Sequence, residues 1–561
     1  MRVRMILLTL AVASLTARAA AQNIQREVDV TRAYEPSVQN ALKLNIMPDM
    51  ADTAQMRPEF NYEITPRPLS YGFAVNPLTA ARLAAVGRPV QLPFYAKLGA
   101  GYPLQSVADL RYAKALNERV DFGAFASHYG RYGKIENDMA VKESAFGTDN
   151  RVGAFLDFRP AEDFSIRTDL GYNFRNVTRY GYYGLPADKP YYDLSDDALK
   201  QFYHNPYAKV TMGHDFLHPG KINVRVGVGV DYFAERYKYD QFRWDLDALF
   251  GFRAGIDGLV TVGVNAGLTG GQNNLKGYKN TLVRGEIAYA YEYDGLRFRL
   301  GAGFGGSETT PGEGKEEYSK YVFLPQLTLE KDLFYGKLTP FLDLRSGITD
   351  NSYGELMKRN PYTFSGVTAP NTIGYEARAG IKGTLGSFKY KVYGGYDMLK
   401  DNFYWANVQE YSAFGNAFTA LTDSLNVFRA GVELQANIVN AVTLYGAFQY
   451  SSYDSEGYEF AAGLPEIKAD FGVTYNHRNR FYLTAGAGFV GERTMYEYNY
   501  STLKTNVIPW QMDLKVGADY FVNKQFGVFL QVNNLLNHDL YEFNRYRELG
   551  INGTVGIKLS F

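Results

Sequence analysis

Ile222-Asn-Val224-Arg-Val226-Gly-Val228-Gly-Val230-Asp-Tyr232 puts six apolar side chains on one face of a strand and Asn223, Arg225, Gly227, Gly229 and Asp231 on the other. Period two marks an extended chain, because successive side chains leave a strand on opposite sides. The pattern returns at Val260, Val262, Val264, Ala266 and Leu268, at Leu296, Phe298, Leu300, Ala302 and Phe304, and at Phe481, Leu483, Ala485, Ala487 and Phe489. Their opposite faces carry Thr261 and Asn265, Arg297 and Arg299, and Tyr482 and Thr484. Charges in mid-strand need a wet side, and the unbroken apolar side needs lipid or a core. Length decides between those two. Strands of soluble sheets usually run about five or six residues, whereas crossing lipid at a tilt takes about 9–11. These segments are long enough to cross. The fold class is therefore all-β, a transmembrane antiparallel β-barrel. It must close, since hydrocarbon offers nothing to pair the N–H and C=O groups of a free edge.

Composition agrees. The 561 residues include 46 Tyr, 37 Phe and 56 Gly, which suit strands, aromatic girdles and close-packed walls. Lysine plus arginine and aspartate plus glutamate balance at 59 each, so no net field draws the chain to nucleic acid. There is no cysteine, which excludes disulfides, thiolate metal sites and thiol nucleophiles. Beyond the N-terminus no apolar run reaches the roughly 18 residues of a spanning helix.

The first 21 residues read as a secretory signal peptide. Arg2 and Arg4 precede the apolar core Met5–Leu15, and Ala19-Ala20-Ala21 offers a small-residue cleavage site before Gln22. Export places the chain in the Gram-negative outer membrane. Residues 22–91 have another texture, broken by Pro36, Pro48, Pro58, Pro66 and Pro68, and read as a short N-terminal periplasmic extension. Residues 92–561 form the barrel. Short connections such as 159–163, 292–295 and 476–480 alternate with long ones near 131–147, 179–205, 306–319, 349–372, 401–424 and 493–507. Periplasmic turns and extracellular loops alternate in this way. Counting hairpins back from Phe561 gives about 22 strands.

The chain ends Thr554-Val-Gly556-Ile-Lys-Leu559-Ser-Phe561, a polar residue and a glycine followed by alternating apolar residues and a terminal aromatic. This resembles the signal by which the barrel-assembly machinery recognises outer-membrane barrels. The resemblance implies strand pairing with that machinery. Just upstream, Phe526-Gly-Val-Phe-Leu-Gln-Val-Asn533-Asn534-Leu535-Leu536-Asn537 and Tyr541 resemble the end of TonB-dependent receptors, whose 22-strand barrel also fits the count. Glu27-Val28-Asp29-Val30-Thr31 resembles a TonB box, implying a TonB contact or another periplasmic partner strand. Members of that family carry a plug domain of well over 100 residues. Residues 22–91 are too few and too proline-broken to form one, so this is a plugless variant. A bare lumen of this size is wide. Inward loops, bulky lumen residues, the N-terminal segment or a partner must fill it.

The remaining candidates for chemistry are sparse. His214 and His218 are four apart, but in a strand-to-turn segment they share no helix face. Ser127 and His128 are adjacent, and neighbouring strand residues face opposite ways. A hydrolase needs its base and orienter on one side, so no enzyme, cofactor or metal is expected. Asp188, Asp193, Asp196 and Asp197 cluster in one loop, where Ser195 reads as the cap of a short helix. Tyr182, Tyr183, Tyr191, Tyr192 and Trp405 are candidate loop contacts for a ligand, against the plainer reading of loop self-packing and girdle. Two functions follow. One is uptake or passage of a solute; the other is a non-transporting scaffold that docks a periplasmic protein through residues 22–91.

Overall fold

A computed structural model describes residues 93–561 apart from 139, 184–194, 215, 217–221, 256, 411–412 and 500–501. Twenty-two antiparallel strands close into a barrel, as the alternation required. The first is Phe94–Tyr102 and the last Asn552–Ser560, and they pair from Tyr95↔Ser560 to Tyr102↔Gly553. Phe94 and Phe561 finish the seam. Each donates its N–H to the other's carbonyl, at 3.0 and 2.9 Å, and their rings stack at 6.1 Å. This leaves one end of the barrel with short turns and the other with loops. Glu27–Thr31 and the rest of the extension lie outside the described residues.

Alternation sorts the wall into two faces. In Tyr239–Ala254 the side chains of Trp244, Leu246, Phe250 and Phe252 are exposed on the outside. Arg243, Asp245 and Asp247 alternate with them and so face the lumen. The lumen charges are neutralised locally. Arg243 meets Asp245 at 2.6 Å, Lys382 meets Glu330 at 2.6 Å, Lys391 meets Glu433 at 3.1 Å, and Lys558 meets Asp519 at 2.6 Å. Balanced composition is therefore a wall of ion pairs within and between strands rather than a charged surface.

Glycines in the wall make room for inward rings. Phe529 lies over Gly99 and Gly556, where an added Cβ would come within 2.7 and 2.6 Å of the ring. Lys97 and Lys558 sit over the same ring at 4.6 and 5.7 Å. The shortest register in the wall joins Tyr318–Lys331 to Thr339–Thr349, from Leu327↔Leu344 to Glu330↔Phe341. Pro325 has no N–H to continue that ladder. Its carbonyl instead accepts from Ser346 Oγ at 2.7 Å, beside a recess of about 320 Å³ lined by Arg299, Gln326, Thr328 and Arg345.

The connections near 401–424 and 493–507 are not loops. Phe388–Glu410 and Ala413–Val439 run 23 and 27 residues, well beyond neighbours of 14 such as Val442–Ser455. Their ends rise as a hairpin past the wall. Arg493–Asn499 and Thr502–Ile508 form a second hairpin, joined to the first in parallel from Ala406↔Tyr496 to Gln409↔Asn499. The physical reason is packing. Tyr404, Ala406, Leu421, Leu425 and Tyr496 bury one another above the membrane, so pairing persists without lipid. Period-two alternation lapses here, since Tyr404 to Gln409 are all buried and the pairing carries irregularities at Leu399/Asn402 and Val408/Gln409.

Candidate functional site

The loop end of the barrel is covered by its own loops. Phe164–Thr178 and Phe388–Glu410 are the fifth and fifteenth of the 22 wall strands, and so stand almost opposite each other. Their connections nevertheless touch. Asn416 Nδ2 donates to the Arg179 carbonyl at 2.8 Å, and the Tyr183 N–H donates to the Phe414 carbonyl at 2.9 Å. Strands half a circumference apart can meet only if their loops reach over the lumen.

Two further loops complete this cap. In 534–551, Tyr546 donates to the Asn416 carbonyl, the Arg547 carbonyl accepts from the Tyr180 hydroxyl at 2.8 Å, and Asn544 Nδ2 donates to Asn407 Oδ1 at 2.7 Å. In 350–371, Thr363 and Pro361 carbonyls accept from Arg179 and from the Tyr203 hydroxyl at 2.8 and 2.6 Å. The helix Tyr353–Arg359 in this loop buries Tyr353, Leu356 and Met357. Its entry is fixed by Asp350, which accepts from the Ser352 N–H at 2.9 Å, and by Gln241, which accepts from the Gly354 N–H at 2.9 Å.

At the centre the rings of Tyr362 and Tyr546 stack at 3.7 Å, with Tyr180 edge-on to Tyr546 at 5.0 Å and Phe418 at 5.9 Å. Each such pair contributes about 0.5–1.5 kcal/mol beyond its buried area. Around them run charge pairs that bridge loops. Arg131 meets Glu548 at 3.0 Å, and Arg545 holds both Glu497 at 2.9 Å and Asp138 at 3.0 Å. The cap is a small hydrophobic core with a polar rim, built from segments far apart in sequence.

Burial pushes the phenols of the cap up. Tyr362 is raised to about 12 by burial, and Tyr541 to about 12 by burial and by Asp138 beside it. Tyr182 is also raised to about 12, by burial and by its hydrogen bond to Glu143. An uncapped phenol ionises near 10. A raised folded value means the cap keeps this contribution below about pH 10 and loses it as pH climbs through about 12. Conductance of single barrels in planar bilayers is therefore expected to stay at its closed level from neutral pH to about 10 and to rise reversibly above it. A flat trace to pH 12 would show that these phenols do not hold the cap.

The residues singled out in the sequence fall as follows. Tyr182 is buried with its hydroxyl on Glu143, Tyr183 lies 4.3 Å beneath the Arg545 guanidinium, and Trp405 packs edge-on to Phe403 at 4.9 Å. All three belong to the cap. Tyr191 and Tyr192, like Asp188, Asp193 and His218, lie outside the described residues. Ser195 does cap the short helix Asp196–Leu199, accepting from the Ala198 N–H at 3.3 Å. His214 accepts from the Val224 N–H at 3.1 Å, and His538 stacks on Trp510 at 5.1 Å. Among the described residues no three His, Asp or Glu side chains gather as a metal site.

The asparagines of the receptor-like motif shape the last loop. Asn534 and Asn537 both adopt left-handed backbone, with φ of 48° and 50°, which asparagine tolerates better than most residues. Asn534 donates to the His538 and Leu549 carbonyls at 2.8 and 3.2 Å, and Asn537 accepts from the Ile551 N–H at 2.9 Å. In the last strand Thr554 and Gly556 face inward, while Val555 is exposed on the lipid side. Leu559 pairs with Ala96 and Phe526, and Phe561 seals the seam. The sequence offered inward loops as one of four fillings of the lumen without choosing among them or naming the residues of the cap. Its clue was large aromatics and asparagines crowded into 350–371 and 534–551, which open loops have no reason to carry.

No protein-family model matches the sequence, and no curated protein does either. Solved structures do match. The FrpB iron transporter from Neisseria meningitidis superposes with a TM-score of 0.65 at 11% identity, covering 83% of this chain and 81% of that one. The copper transporter OprC gives 0.62 at 12% identity over 86% and 82%. The siderophore receptor PirA from Acinetobacter baumannii gives 0.61 at 10% over 83% and 80%. At such identities the likeness is one of fold: this chain shares the barrel architecture of those transporters and receptors.

Proposed function

We propose that this barrel passes a solute across the outer membrane through a lumen gated by its loop cap. The observation that carries the reading is the meeting of loops from opposite walls above a lumen lined by charge pairs. A solute arriving from outside would displace cap contacts. It would then exchange its polar groups against paired Arg, Lys, Asp and Glu, none of which binds it irreversibly. The transporters and receptors that share the fold support this reading over a scaffold that docks a partner. On the same reading the extension 22–91 stands on the periplasmic side after signal-peptide removal, and Glu27–Thr31 offers a strand to TonB. The last strand, through Thr554, Gly556, Leu559 and Phe561, is what the assembly machinery reads.

The test is flux. Proteoliposomes bearing the wild-type barrel should retain entrapped neutral oligosaccharides of graded size, and a variant with a loosened cap should release them up to a size limit. Equal retention by both would sink the transport reading.

A further inference from the structure

Three adjacent strands, Gln105–Asn117, Val120–Arg131 and Gly147–Ala161, bring together a serine, a histidine and an asparagine. Ser106 Oγ lies 2.7 Å from His128 Nε2, and His128 Nδ1 lies 2.6 Å from Asn150 Oδ1. Chemistry fixes the direction of this chain. Asn150 Nδ2 donates to the Phe174 carbonyl at 3.4 Å, so the amide turns its oxygen to the imidazole. An acceptor there requires Nδ1 to carry the proton. Nε2 is then a lone pair, and the Ser106 hydroxyl donates to it. Nucleophile, base and orienter stand in the order that activates a hydroxyl.

Two further groups complete the geometry. The Tyr132 hydroxyl lies 3.3 Å from Ser106 Oγ and 3.4 Å from His128 Nε2, a third polar group beside both nucleophile and base. Gly130 is the register partner of Ser106, and an added Cβ would fall 2.6 Å from Oγ. A side chain at that position would crowd the hydroxyl.

The cluster faces lipid. Leu98, Ala108, His128, Asn150, Phe174 and His204 are successive register partners in one row across the wall. Leu98 in that row is exposed, as are Leu110 and Val152 on the same face. The height is set by the first hairpin. Its turn follows Tyr102, and Tyr102 and Leu104 beside it are 78% and 67% exposed, at the loop end of the wall. The rings of Phe174 and Phe202 close on His204 at 4.7 and 5.4 Å, an aromatic belt of the kind barrels place at headgroup level. Acyl esters of membrane lipids sit at that boundary. A polar triple in a lipid-facing wall also costs desolvation that three apolar residues would avoid.

We infer that Ser106, His128 and Asn150 form a serine hydrolase site for acyl esters of lipids in the loop-side leaflet. Ser106 Oγ attacks the ester carbonyl while His128 Nε2 takes its proton. The tetrahedral adduct then expels the alcohol, which receives that proton, and leaves acyl-Ser106. Water attacks the acyl group, giving its proton to His128. Collapse releases the fatty acid, and His128 returns the proton to Ser106 Oγ. The sum is ester plus water to acid plus alcohol. Ser106 and His128 are catalytic residues, and Asn150 is a positioning residue that holds the tautomer.

Full-length barrel in vesicles of phosphatidylethanolamine and phosphatidylglycerol should release free fatty acid and lysolipid, read by mass spectrometry. A fluorophosphonate should add covalently to the peptide carrying Ser106. Ser106→Ala should abolish labelling and lower release at least about 100-fold, and His128→Gln should do the same. Ser127→Ala, on the lumen face, should change neither. Asn150→Asp should keep activity and alter its pH profile, while Asn150→Ala should lower the rate at unchanged substrate affinity. Heat-dependent gel mobility checks that each variant is folded. A folded wild type that takes no label at Ser106 and releases no more fatty acid than Ser106→Ala would overturn the site, leaving a structural polar cluster.

Discussion

Tyr546→Ala is expected to turn a closed barrel into a conducting one. Tyr546 is 1% exposed, stacks on Tyr362, meets Tyr180 and Phe418, and donates to the Asn416 carbonyl. It thereby ties together loops from four parts of the rim. Truncating a buried aromatic of this kind costs about 3–5 kcal/mol. Because Tyr546 lies in the last loop and takes no part in the wall ladder, that loss falls on the closed-to-open balance of the cap, roughly two to three and a half powers of ten. Single-channel recording should show long open events where the wild type shows few. Tyr546→Phe keeps the rings together and removes one hydrogen bond, so it should shift the balance by only about 1 kcal/mol. Thermal unfolding of the barrel should be unchanged in both. If Tyr546→Ala conducts no more than wild type, the cap is not the barrier.

Gly556→Val is expected to prevent the barrel from closing. A Cβ at Gly556 would overlap the Leu98 carbonyl oxygen and come within 2.6 Å of the Phe529 ring. The first of these is backbone and cannot rotate away. Relief would require parting Asn552–Ser560 from Phe94–Tyr102, the pairing that closes the sheet. An unclosed sheet leaves ladder groups unpaired in hydrocarbon at several kcal/mol each. Folded protein should therefore fall at least about tenfold both in cells and on refolding into detergent, read by heat-dependent mobility. Deleting Phe561 separates structure from recognition. It removes one stacked ring and two hydrogen bonds at the end of the seam, so refolding in detergent should persist. If the last strand is the assembly signal, accumulation in the membrane should nonetheless collapse. Equal behaviour in the two settings would refute the signal and leave Phe561 a seam residue.

The contacts of Ser106, His128 and Asn150 show how residues far apart in the chain meet across strands. Ser127 and His128 are neighbours in the chain, but Ser127 pairs with Asp109 and Arg151 on the lumen side. The serine that reaches His128 comes from the preceding strand, and the asparagine from the following one. Each sits 22 residues away, a spacing that reflects hairpin length and turn, and no local motif encodes it. Adjacency of Ser127 and His128 in the chain says nothing about which hydroxyl the imidazole meets.

The sequence by itself determined the alternation, the approximate strand count and the need for closure. These depend on period-two patterning and on the absence of water in lipid, and both are visible one segment at a time. Only the tertiary structure decided what covers the lumen and which residues meet. Tyr546 finds Tyr362, and Arg179 finds Asn416, across a mouth whose width is set by all 22 strands together. Segments such as 401–424 were misread for the same reason. Above the membrane, pairing is stabilised by partners such as Tyr496 that lie far along the chain, and no local pattern announces them.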